Sequence, residues 1–189
     1  MRKFSVRPTL TLKGRKFKGL RGWSGKPIHP PLTDFPVAAY VMAAVFDVIA
    51  SVGRKETFAR DFFHAGTFVV IAGVIVSVFA ALTGFWDWLR STEQGTQARR
   101  TANTHGWTMG TVTVLALVDL VLRLNVYHTR THPTVAILIL SIVVAGLVAL
   151  GAAFGGTLVF DYGFNVETAS DSPVWHPSET DLLPGAHRD

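Results

Sequence analysis

Residues 62–89 read FFHAGTFVVIAGVIVSVFAALTGFWDWL, and no Asp, Glu, Lys or Arg occurs between Phe62 and Trp86. As an α-helix this stretch would be about 42 Å long, because each residue adds about 1.5 Å. The hydrocarbon core of a bilayer is about 30 Å thick, so such a helix can cross it with some tilt. Trp86 and Trp88 stand near its end, and aromatic rings of this kind are typical of the headgroup boundary. The stretch therefore predicts a transmembrane helix.

Three other apolar stretches are long enough to cross a bilayer as helices. They cover residues 32–50, 105–124 and 134–160, and polar segments separate the stretches from one another. Apolar runs of this length, unlike the shorter runs of soluble proteins, are typical of membrane spans. The sequence therefore predicts an all-α membrane protein, with a four-helix transmembrane bundle over residues 27–163.

The composition agrees with a membrane protein and excludes several kinds of site. Hydrophobic residues make up 49% of the chain and charged residues only 16%, which is too apolar for an ordinary soluble domain. Because the chain has no cysteine, it cannot form disulfides, thiolate metal sites or covalently attached c-type haem. It has no phosphate-binding glycine loop, zinc-protease motif or serine nucleophile elbow, so we do not expect an enzyme by itself.

The two ends of the chain carry opposite charges. Residues 1–26, the basic arm, contain nine Lys or Arg and no acidic residue. Residues 164–189, the acidic tail, contain five Asp or Glu, three Pro and one Arg. We expect the basic arm to bind anionic lipid rather than nucleic acid, and the acidic tail to lack a fixed structure unless a partner orders it.

The positive charges also predict how the chain is oriented. In a four-span chain, thirteen of the eighteen Lys and Arg lie on the side of the basic arm, the loop 90–102 and the acidic tail. Loops rich in Lys and Arg stay in the cytoplasm. Both termini are therefore predicted to be cytoplasmic.

The ionisable side chains within the predicted spans include Asp47, Asp87, Asp119 and Arg123. A charge in hydrocarbon is costly, so each must face protein, water or a cofactor. Because Asp119 and Arg123 are four residues apart, one helical face can carry them as an ion pair. We expect Arg123 to extend toward the outer headgroups and hold Asp119 there. Asp87, between two tryptophans, is expected to be an interfacial charge, and Asp47 interrupts the first span.

Histidines at the span boundaries form two groups. His29 precedes the first span and His105 begins the third, both on the predicted cytoplasmic side, whereas the outer group is His64, His128 and His132. Two neutral imidazoles from different helices are what b-type haem requires, and four-helix bundles hold such a cofactor between facing helices. The alternative is that each of them is an interfacial histidine that binds no metal.

The candidate metal ligands are therefore His29 and His105, as the axial ligands of haem b. Met109, one turn beyond His105, is another conceivable axial ligand. Asp34 or Asp87 could orient a ligand ring by accepting the N–H of its other nitrogen. The full set of candidate cofactor-binding residues is His29, His105, His64, His128 and Met109.

Small residues four apart let helix backbones approach closely in lipid. Two such pairs occur, Gly106 with Gly110 in the third span and Gly151 with Gly155 in the fourth. We expect both pairs to serve packing within one bundle rather than a dimer interface, and we assign no oligomeric state from them.

Several short motifs occur along the membrane region. They are GKPIHP at residues 25–30, then Phe35, Pro36 and Asp47; residues 84–87; Arg99 and Arg100 before His105; and GGTLVF at residues 155–160, then Gly163 and Val166. On these motifs the chain resembles a family of predicted bacterial four-span membrane proteins of unknown function, sometimes found beside Rieske iron–sulfur domains. Asp34 stands where many relatives have a second His before Phe-Pro. The resemblance implies the architecture, a bacterial cytoplasmic membrane and a link to respiratory electron transfer.

Three functional hypotheses remain. The first is a small membrane subunit of a redox or respiratory assembly that carries haem b at His29 and His105. The second is a cofactor-free anchor or accessory subunit whose basic arm and acidic tail dock other membrane subunits. The third is a proton or ion pathway through Asp47, Asp119 and Arg123.

Overall fold

The structure is a computed structural model that describes residues 19–20, 22 and 27–164. Over 27–164 the chain forms four long helices, and a short π-helical turn, Thr157–Asp161, continues the last of them. Each helix is long and apolar enough to cross a membrane, which confirms the predicted four-span, all-α fold. The helices are α1 (His29–Val52), α2 (Glu56–Ser91), α3 (Gln97–Val126) and α4 (Val135–Gly156).

The first three helices begin before the predicted spans. α2 begins at Glu56 rather than Phe62, and α3 begins at Gln97 rather than His105. Hydropathy reports only the apolar part of a helix, whereas the backbone stays helical through the headgroup region because its hydrogen bonds are internal. At the start of α3, the Thr96 hydroxyl accepts the Arg99 N–H at 3.1 Å and caps the helix, as N-terminal threonines do.

The helices run alternately up and down, and each packs against two neighbours. α1 and α3 both pack against α2 and α4, so α1 and α3 face each other across the diagonal of the bundle. Because successive helices run in opposite directions, one end of the bundle contains the starts of α1 and α3 and the ends of α2 and α4. We call this the histidine end, after His29 and His105, and the other the loop end, after residues 53–55 and 127–134.

The centre of the bundle is filled by small and branched apolar side chains. The Tyr40 hydroxyl is hydrogen-bonded to Ser77 at 2.7 Å within this layer. Smaller residues allow the close helix contacts that association in lipid requires. The members of this central cluster are Tyr40, Ala43, Val70, Val74, Val112, Ala116, Val144 and Val148. A second apolar cluster, nearer the loop end, consists of Ala50, Phe63 and Ile137.

The two glycine pairs have different roles. A Cβ at Gly151 would meet the Met109 side chain, and one at Gly155 would lie 3.2 Å from His105 Cε1. At Gly106 and Gly110 a Cβ would meet nothing within 4 Å among the described residues. Packing within the bundle is therefore confirmed for the pair on α4, whereas the expectation is wrong for the pair on α3, which faces outward.

The outward faces of the helices are apolar as well. Phe68, Ile75 and Leu82 on α2 are 60%, 55% and 63% exposed, far more than a soluble protein exposes on one helix. Such faces fit contact with lipid tails. The expectations for the acidic tail lie outside the described residues, and so do those for the basic arm except around Leu20.

Candidate functional site

His29 and His105 lie together at the histidine end. His29 is the first residue of α1, and His105 lies in the third turn of α3. Their ring centroids are 6.3 Å apart and the ring planes are at 80°. The predicted proximity of the two histidines is therefore found across the diagonal of the bundle.

One nitrogen of each ring is held by a backbone carbonyl. His29 Nδ1 lies 2.9 Å from the Ala80 oxygen, and His105 Nδ1 lies 2.8 Å from the Gly151 oxygen. Because a carbonyl oxygen only accepts, each Nδ1 carries the proton and donates it. In the neutral rings Nε2 therefore keeps its lone pair, which is the nitrogen a metal would bind.

The expectation that a carboxylate orients these rings is wrong. Asp34 is exposed. Asp87 is buried and accepts the backbone N–H of Leu20 at 2.9 Å, so it is not the interfacial charge expected from the sequence either. The Leu20 backbone also accepts the Ile28 N–H at 3.3 Å, which places Leu20 between the start of α1 and the end of α2. Backbone carbonyls take the orienting role, and every sequence contains those, so no residue type reveals them.

Glycines border both imidazole rings. A Cβ at Gly84 of α2 would lie 2.5 Å from His29 Cε1 and 3.0 Å from its Nε2. Gly155 of α4 stands in the same relation to His105, with a Cβ distance of 3.2 Å. The two helices that flank the diagonal thus leave room for the rings by lacking side chains at these positions.

The histidine pair is a two-ligand set. Over the part of the chain that the structure describes, no three or more His, Asp or Glu side chains come together as a metal site. Zinc sites use three or four protein ligands, so the pair does not fit one. Met109 lies against Gly151 and packs on the central cluster, one turn deeper than His105.

Two of the three outer histidines, His64 and His132, join separate segments at the loop end. His64 stacks on Tyr127 with ring centroids 4.1 Å apart, and its Nε2 lies 3.1 Å from the Tyr127 oxygen. His128 is exposed, with its ring 5.0 Å from that of Tyr127. His132 Nε2 lies 3.2 Å from the Gly53 oxygen. The ring nitrogens of His64 and His132 that make these contacts are engaged by backbone.

A second polar site lies toward the loop end. Arg123 Nε donates to Asp119 Oδ2 at 2.7 Å, its Nη1 donates to Asp47 Oδ1 at 3.1 Å, and its Nη2 donates to Asp47 Oδ2. The three residues are 0% to 2% exposed. The expected ion pair with Asp119 is found, but the expectation that Arg123 extends to the headgroups is wrong, because Asp47 on the facing helix holds it inside. We call these residues the buried triad.

Comparison with known proteins places the chain by family. The family described as predicted membrane protein (DUF2231) matches residues 25–168. No curated protein matches the chain, and no solved structure does.

Proposed function

The chain belongs to the DUF2231 family of predicted membrane proteins, and from this membership and the histidine pair we propose that it is a membrane-embedded haem b protein of a redox or respiratory assembly. The observation that carries the proposal is the placement of His29 and His105 on facing helices with both Nδ1 atoms held by carbonyls. The proposed location is the bacterial cytoplasmic membrane, with both termini in the cytoplasm.

The donor set favours haem over a bare metal ion. A porphyrin supplies four nitrogen ligands of its own, so two protein imidazoles complete the iron coordination. His29 and His105 would hold the iron through Nε2. When bound, haem b would supply one-electron exchange, and two imidazoles would keep the iron low-spin.

The chain's own residues would set the properties of such a site. The carbonyls of Ala80 and Gly151 fix which ring nitrogen is free, and a hydrogen bond of this kind raises the basicity of the ligand nitrogen. The central cluster lies next to the pair along the bundle axis, so its apolar side chains would keep water away on that side. The link to a Rieske-type partner rests on the family resemblance alone.

An absorption spectrum tests the proposal. Full-length protein from haem-replete cells should show b-type bands in the reduced-minus-oxidised spectrum. His29→Ala and His105→Ala should each abolish or convert the low-spin signal, whereas His187→Ala, in the acidic tail, should leave it intact. Both ligand variants should still be extracted as folded protein, which gel filtration in detergent checks.

Other outcomes would overturn the assignment. Wild-type protein without haem would favour the cofactor-free anchor or accessory subunit. An unaltered low-spin spectrum in His105→Ala, with loss in His128→Ala, would move the site to the outer group. Ion flux in liposomes would favour the third hypothesis, a proton or ion pathway through Asp47, Asp119 and Arg123.

The basic arm supplies a second, independent part of the proposal. Its nine positive charges favour anionic lipid headgroups at about 1 kcal/mol for each well-placed charge, screened by salt. A peptide of residues 1–26 should bind anionic vesicles more tightly than neutral ones at low salt. Equal binding to both would point to a protein partner instead.

A further inference from the structure

The buried triad contains more negative than positive groups. Arg123 brings one positive charge, and Asp47 and Asp119 bring two carboxyl groups, all out of reach of solvent. If both carboxyls were ionised, one negative charge would remain uncompensated in the bundle. An uncompensated buried charge is far more costly than a neutral carboxylic acid.

Hydrogen bonding favours Asp47 over Asp119 as the ionised carboxyl. Asp47 receives both Nη groups of Arg123, one on each of its oxygens. This two-pronged arrangement is the strong form of a guanidinium–carboxylate pair. Asp119 receives only Nε–H, on Oδ2. The positive charge is thus directed mainly at Asp47.

Asp119 keeps one oxygen without a partner. Its Oδ1 is buried and forms no hydrogen bond with any described residue, while the residue as a whole is only 2% exposed. A buried acceptor left empty in the ionised form loses its hydration without replacement. A proton on Oδ1 removes the charge that makes this loss severe.

The neighbouring helices offer no second positive charge in the contacts that surround the triad. α2 contributes Gly66, whose Cβ would lie 3.4 Å from Arg123 Nη1, and Phe63, whose ring centroid lies 5.8 Å from Arg123 Cζ. α4 contributes Ile137 to the adjoining apolar cluster. The ionisable groups bearing on Asp119 are therefore Arg123 of its own helix and Asp47 of α1.

We propose that Asp119 is a proton-binding site, which takes up a single proton on Oδ1 while Asp47 stays ionised against Arg123. Binding forms one O–H bond and breaks none in the protein. A metal cation does not fit the same place, because hard cations need several oxygen ligands and the triad leaves one free. The site is distinct from the histidine pair, since the central cluster lies between them.

Infrared difference spectroscopy tests the proposal on the full-length protein in liposomes. Between alkaline and neutral buffer, a range in which exposed Asp and Glu stay ionised, the wild type should show the carbonyl stretch of a protonated carboxylic acid, which shifts in heavy water. Asp119→Asn should remove this band completely. Asp47→Asn should remove it as well, because Arg123 then has only Asp119 to pair with and keeps it ionised. Asp87→Asn, which changes a buried carboxyl at the histidine end, should retain the band.

Three results would overturn the proposal. They are a wild type without the band at any pH where it stays folded, a band that survives in Asp119→Asn, and a band that sodium chloride removes at constant ionic strength. Loss of the band in sodium chloride would mean that Asp119 Oδ1 binds a cation rather than a proton. Helical content measured by circular dichroism confirms that each variant is folded, and none of these readouts depends on bound haem.

Discussion

Arg123 connects two helices through a single guanidinium group. Its partners Asp47 and Asp119 lie on α1 and on its own helix α3. Arg123→Leu would leave both carboxyls buried without a cation. Breaking a buried ion pair from one side typically costs about 3–5 kcal/mol. We expect a loss of this size in the free energy of unfolding, measured by denaturant titration in mixed micelles.

The exposed Arg130 provides the matched control. Arg130→Leu should change the unfolding free energy by less than about 0.5 kcal/mol, as is usual for surface substitutions. Adding Asp47→Asn and Asp119→Asn to Arg123→Leu should recover part of the loss, because no buried charge then remains. Equal stability of the Arg123 and Arg130 variants would mean that the triad contributes nothing to folding.

At the scale of the helices, α1 and α2 approach closely because Gly84 has no side chain. Gly84→Ala would place a Cβ 2.5 Å from His29 Cε1, so either the ring or the helix must move. Overpacking of this kind typically costs about 1–3 kcal/mol. We expect that loss in the unfolding free energy and, if haem is bound, a changed low-spin spectrum.

Gly106→Ala is the control for this substitution. A Cβ there meets nothing within 4 Å among the described residues, and alanine favours a helix over glycine by about 1 kcal/mol. Gly106→Ala should therefore be neutral or stabilising in the same titration. If the two alanine variants were equally stable, the close contact at Gly84 would not be tight in solution.

The helices and the histidine pair could be predicted from sequence because they depend on local features. An apolar stretch of sufficient length marks a span. His29 and His105 each stand at the start of a span, and because the spans alternate in direction, the starts of the first and third lie at the same end of the bundle. The contacts of Arg123 with Asp47 and of His29 with Ala80 depend on how each helix is rotated about its axis. No local pattern encodes that rotation, so the triad and the orienting carbonyls became visible only in the folded bundle.

The whole molecule should have a fixed orientation across the membrane. Thirteen Lys and Arg lie on the side of the termini, and Arg123 is buried, which leaves four on the other side. A reporter fused after Asp189 should read as cytoplasmic, and one inserted at residues 53–55 as external. Opposite readings would reverse the bundle and place the histidine pair on the outer side.

The pairing of Asp47 with Arg123 also sets the order of events during synthesis. The two residues are 76 positions apart in the chain, and a ribosome that adds about 5–20 residues per second needs about 4–15 s to cover that distance. An aspartate alone at the centre of a membrane helix costs about 2.5–3.5 kcal/mol on insertion scales. During this interval Asp47 has no Arg123 to pair with, so we expect α1 to be less stable in lipid than it is in the finished bundle. Asp47 in the first helix is thus synthesised before Arg123, the residue with which it pairs.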